Sequence, residues 1–219
     1  IEGLTWTALE LLQGATLIRS SRRVRDALRD PRRPRITVAY LQAYLEQLID
    51  LRALEEAIAR AISDDGTVRD DASPALRRVR RELRQAEGEL VRLLEREMAK
   101  LESHHQVSDL SVTMRNGRWV MPMRREARGY VGGIVHDSSG TGATIFVEPP
   151  AAVEFGNRVR ELELEEQREV ERVLRELTEQ LHPYHDQLIA AFTALVALDA
   201  LYARARYAIE ASCAPLAFC

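Results

Sequence analysis

The 219-residue chain is 46% hydrophobic, 30% charged and only 5% aromatic. That composition excludes disorder and predicts one or two soluble domains large enough to bury a core. Glycine (11) and proline (8) are too few for collagen-like or Pro-rich material, and the absence of a continuous apolar run of about 18–20 residues argues against a membrane span. The net charge of −3 excludes a uniformly basic nucleic-acid binder, so the distribution of charge has to carry any such reading.

Lys100 is the only lysine and lies in a helical pattern with no G-x-x-x-x-G before it, which removes a P-loop ATPase within this sequence. The two cysteines, Cys213 and Cys219, form neither a paired framework nor a CxxC motif, as expected of a reducing cytoplasm. The chain starts at Ile1 without a basic and apolar leader, and is expected to be a piece of something longer.

In chain order, Leu4 to Leu28 repeats at helical spacing, interrupted at Gly14, and stops at Asp30-Pro31-Arg32-Arg33-Pro34. Thr37 is placed to cap a second helix whose core face carries Leu41, Tyr44, Leu48, Leu51, Leu54, Ile58 and Ile62. The segment 64–71 reads as an exposed loop or tight hairpin. Ser73-Pro74 is a strong helix start, and Leu76, Val79, Leu83, Ala86, Leu90 and Leu93 then alternate spacings of three and four, which predicts a coiled-coil seam. Its partner is expected beyond position 150, where Val159, Leu162, Val170, Leu174, Leu177 and Leu181 repeat in the same way, and the two helices are expected to run antiparallel.

Between these helices the period becomes alternating. Leu110–Met114 and Arg118–Met123 flank Arg115-Asn116-Gly117, a strong hairpin signal, and Gly133–Asp137 with Thr144–Glu148 read as a second strand pair. A last helix follows His182-Pro183, with Leu188, Phe192, Leu195, Leu198, Tyr202, Ala205 and Ile209 as its apolar positions. The fold class expected is mainly α: a helical core in 1–73 and 182–219, lever helices in 74–105 and 150–181, and a small β insertion in 106–149 at the tip.

The chemistry-bearing candidates are few. His104-His105, His136-Asp137 and His182-Pro183-Tyr184-His185 do not supply the three or four convergent ligands a zinc centre needs, so no metal is expected. Ser138-Ser139-Gly140-Thr141-Gly142 lies between strands rather than at a helix N-terminus and reads as a β loop. The glutamates of 161–179 read as a solvated helix face, and no catalytic constellation emerges. One electrostatic feature remains: Arg115, Arg118, Arg124, Arg125 and Arg128 crowd the first hairpin and its exit beside Trp119 and Tyr130. Guanidinium pairing with phosphate explains them, and so does charge protection of a strand edge.

The order of motifs resembles the MutS family, specifically its second bacterial paralogue. The resemblance rests on Asp65-Gly66-Thr67-Val68-Arg69-Asp70 with Ala72–Arg80, on Thr113-Met114-Arg115-Asn116-Gly117-Arg118-Trp119-Val120-Met121-Pro122, and on Gly133–Pro149 with Asn157 and Glu161–Glu166 behind it. Met123 and Arg124 depart from the expected Val and Lys. The resemblance implies a helical core from which two lever helices rise to a clamp-like tip. It further implies a homodimeric, cytoplasmic ATPase and endonuclease that clasps branched DNA in suppressing recombination, or collided ribosomes in translation quality control. The ATPase, which uses ATP and Mg, and the nuclease have no counterparts in these residues, so a non-catalytic role without a cofactor is expected of them. The alternative is a structural dimerisation module without nucleic-acid contact. No membrane partner is expected.

Overall fold

The computed structural model describes residues 4–30, 32, 41–107 and 109–212. The protein is mainly α with one four-stranded antiparallel sheet, as the sequence predicts. Its residues group into two units, 1–72 with 171–219 and 73–170.

In the first unit, α1 spans Ala8–Leu28. Thr7 caps it through a reciprocal box, its hydroxyl accepting from the Glu10 amide while the Glu10 carboxylate accepts from the Thr7 amide at 2.7 Å. Gly14 does not interrupt the helix; a Cβ there would sit 3.2 Å from the Trp6 ring, so glycine makes room for the indole.

The long second helix expected from the sequence is instead two, α2 (Gln42–Leu45) and α3 (Arg52–Ala61), and the Thr37 cap lies outside the described residues. The break has a physical cause in α1. The fully buried Ser21 hydroxyl accepts from the Ile49 amide at 2.8 Å and lies 3.1 Å from the Ile49 carbonyl, replacing helical partners at that point. Leu48, Leu54, Ile58 and Ile62 are still buried, so the apolar face survives the break. The segment after it closes as a tight hairpin: Ile62 bridges Val68, and Asp65 accepts from both the amide and the hydroxyl of Thr67.

The second unit starts at Ser73, whose hydroxyl accepts from the Leu76 amide at 2.9 Å to cap α4 (Pro74–Ala99). After the sheet, α6 covers Val153–Leu181. The first part of α6 runs antiparallel to α4. Ser73 donates to Glu169, Arg78 and Arg80 meet Glu165 and Glu166 at 3.4 and 2.7 Å, and Glu82 meets Arg158 at 3.6 Å. Leu76, Val79 and Leu90 are buried on α4 as expected, but Leu94 rather than Leu93 is the fully enclosed side chain near its end.

The sheet has the order β1-β2-β4-β3, with β1 at Thr113–Arg115, β2 at Arg118–Arg124, β3 at Ile134–Ser138 and β4 at Thr144–Glu148. Both expected hairpins form, and β2–β4 pairing joins them. Asn116 and Gly117 have φ of 51° and 74°, the left-handed pair that a two-residue hairpin turn demands. Pro122 is tolerated because β1 pairs only with Arg118–Val120, leaving β2 a single strand partner at that position. Met121, Met123, Ile145 and Val147 cluster with Leu101 and Ala127, and Leu90 and Leu94 of α4 cluster with Ala152 and Val159.

In the first unit α7 (His185–Glu210) follows a 3-10 turn at His182–Tyr184. Only Leu188, Ala191 and Ala194 of α7 are buried. The expected core positions Phe192, Tyr202 and Ile209 are 58%, 62% and 78% exposed, which corrects that part of the sequence reading. The helical run 150–210 also contains an 18-residue window of mean hydropathy 1.6, long and apolar enough to cross a membrane by length and composition alone. The charges of α6 confine that window to α7. The sequence reading missed it because Asp199 splits the apolar run.

Candidate nucleic-acid interface

The structure divides the five candidate arginines into two groups. Arg115 and Arg118 face each other across the first hairpin as the last strand pair before the turn. The Arg115 Nε lies 3.2 Å from Asp137, and its guanidinium carbon sits 4.5 Å from the centre of the Phe146 ring, a cation–π geometry. Arg118 points inward. It donates to the Asn157 side-chain oxygen at 2.8 Å and lies 3.5 Å from Glu148, whose side chain is only 2% exposed. The other Glu148 oxygen is 2.7 Å from His136 Nε2.

This Arg118–Glu148–His136 group, centred on a buried carboxylate, depends on local backbone devices. The β3–β4 register shifts between Val135 and Asp137, so His136 is the unpaired residue of a bulge and is re-aimed toward Glu148. Gly156 faces the same carboxylate: a Cβ there would stand 2.7 Å from Glu148 Oε1 and 2.9 Å from Arg118 Nη1. Gly133, at φ +90°, passes so close that a Cβ would meet the Glu148 carbonyl oxygen at 2.3 Å. Arg118 is therefore a structural partner of a buried acid, and its charge is compensated.

Arg124, Arg125 and Arg128 form the other group. β2 ends at Arg124, and a 3-10 turn (Arg125–Ala127) leads into the short helix α5 (Arg128–Val131). Ala127 is fully buried and anchors this turn, so the flanking side chains are directed outward, and all three arginines are exposed. The Arg124 amide donates to the His105 carbonyl at 3.0 Å and the Arg125 amide to the Ala143 carbonyl at 3.0 Å, fixing the backbone on both sides. Arg125 Nε donates to the Gly142 carbonyl at 2.6 Å, which orients the guanidinium without neutralising it. Among the described residues no carboxylate pairs with Arg124, Arg125 or Arg128. Trp119 is not an exposed stacking platform, since its ring packs in the cluster of Leu90 and Leu94; Tyr130, by contrast, is 80% exposed.

Sequence reasoning missed Glu148 and weighed His136 only as a metal ligand. Glu148 ends an alternating strand where an acid normally reads as solvated, and a bulge leaves no sequence mark. One histidine pair does converge with an acid: among the described residues, Glu102, His104 and His105 bring three ligand atoms within 4.8 Å of one another, a grouping that the sequence reading does not expect.

No family model matches the chain. Curated relatives do. It is 80% identical over 218 residues, 100% of its length, to endonuclease MutS2 of Gemmatimonas aurantiaca. The chain belongs to the MutS2 family. Endonuclease MutS2 of a Geobacillus species is 38% identical over 94% of the chain, and the putative endonuclease MutS2 of Bacillus subtilis is 40% identical over 79%. The chain spans 27%, 26% and 22% of these three MutS2 proteins, about a quarter of each.

Proposed function

We propose that this MutS2 segment is the part of a longer ATPase and endonuclease that holds nucleic acid by its phosphates, without itself carrying out chemistry. The observation behind this reading is the cluster of exposed Arg124, Arg125 and Arg128 on a rigid turn with no carboxylate partner among the described residues. Guanidinium groups held by a fixed backbone suit bidentate contact with phosphate oxygens. They flank a turn rather than a helix that enters a groove, so they follow the backbone and have no frame for reading bases. Branched DNA and ribosomal RNA both present such a phosphate track, and in the whole homodimer the segment clasps one of them.

The test is a binding comparison of the 219-residue chain on duplex DNA, branched DNA and ribosomes over a salt series. The proposal expects sequence-indifferent binding that weakens steeply with salt. Binding to none of the three at low salt would refute it. A second reading, self-association, is favoured by the exposed apolar residues of α7, among them Ile189, Phe192 and Val196 at 54%, 58% and 54% exposure. Sedimentation across a concentration series reports on it independently.

A further inference from the structure

The turn that follows α4 places Glu102, His104 and His105 together in a way that the phosphate-binding reading does not use. The Glu102 carbonyl accepts from the His105 amide at 2.8 Å, closing a turn that brings the first and last of the three onto one side. Two further bonds hold it: Gln106 donates its side-chain amide to the Leu101 carbonyl at 2.7 Å, and the Arg124 amide donates to the His105 carbonyl at 3.0 Å. Leu101 is buried in the sheet core and His105 is 8% exposed, with its ring 5.0 Å from that of Tyr130. The rings of His104 and His105 lie 3.9 Å apart, and His104 Nδ1 is 3.3 Å from the Glu102 carboxylate.

We propose that Glu102, His104 and His105 bind a divalent transition-metal ion of the zinc class. Two imidazoles and one carboxylate are a donor set that zinc and cobalt accept and that magnesium and calcium, which prefer all-oxygen shells, do not. The ligand atoms already lie within 4.8 Å of one another, so small side-chain rotations bring them onto bonds of about 2.0–2.2 Å. Lys100, the cation on the adjoining rim, is bound to Glu97 at 2.6 Å and does not oppose the ion. The side chains of Glu102 and His104 are 75% and 65% exposed, so the coordination shell is open to water at its remaining position.

The test is titration of the 219-residue chain with cobalt(II), followed by its visible absorption, with zinc(II) as competitor and magnesium(II) as control. His104→Ala and Glu102→Gln remove exposed ligands and leave the buried His105 in place; His185→Ala is the control at an exposed histidine outside the group. One ion per chain is expected, displaced by zinc and not by magnesium. Affinity should fall at least about tenfold in His104→Ala and in Glu102→Gln, and stay unchanged in His185→Ala. Circular dichroism of each variant checks that the fold persists. Absence of cobalt and zinc binding, or equal affinity in parent and His104→Ala, overturns the proposal.

Discussion

Glu148 is the residue on which the sheet's interior chemistry turns. A carboxylate with a 2% exposed side chain is tolerable only because Arg118 and His136 reach it from two directions. Glu148→Ala should therefore destabilise the chain by about 3 kcal/mol, because it strands the inward-pointing guanidinium, and denaturant unfolding measures this. Gly133→Ala is expected to be at least as damaging, since its Cβ would be driven into the Glu148 carbonyl at 2.3 Å, and the loss should appear as poor folding on expression. Glu55 is the corresponding acid in the first unit. Burial pushes its pKa up, but hydrogen bonds and charge from Arg19 and Arg22, at 2.8 and 3.1 Å, more than offset this and leave it below its ordinary value. With the folded pKa lowered, its stabilisation is present in full above the ordinary carboxylate range and is lost as pH falls through the folded value. Glu55→Gln should be less stable than the parent at neutral pH, and the gap should close in thermal melts as the pH is lowered through the depressed folded value.

At the scale of elements, the antiparallel pair of α4 and the first part of α6 was readable because its apolar spacing is local and regular. The hairpin was equally readable, since Asn116-Gly117 has almost no other conformational use. The break between α2 and α3 was not, because its cause is Ser21, 28 positions away in sequence from Ile49. Periodicity also cannot say whether an apolar face is covered, and for this reason it assigns the apolar positions of α7 to the core. One flaw in the helix pair is testable. Burial, reinforced by the nearby charges of Glu163 and Glu166, raises the pKa of Glu87, so its ionised form works against the pairing at neutral pH. Glu87→Gln should raise stability by a few tenths of a kcal/mol at pH 7, with the advantage disappearing in acid as Glu87 takes up its proton.

For the whole molecule, the arginine-rich region predicted from sequence proved to be two things at once. Arg115 and Arg118 are held against Asp137 and Glu148, so protection and internal pairing explain them. Composition alone could not separate them from Arg124, Arg125 and Arg128, because the carboxylates that neutralise the first two arrive from β3 and β4. The distinction changes which substitutions are informative: removing Arg118 would confuse lost binding with a disturbed interior. The measurement that tests phosphate contact most directly is the salt dependence of DNA affinity for the parent chain and for Arg124→Ala/Arg128→Ala, with helicity monitored in parallel. The account predicts uniformly weaker binding across sequences, a salt slope flattened by about one to two units, and unchanged helicity. An unchanged slope with intact helicity would contradict it.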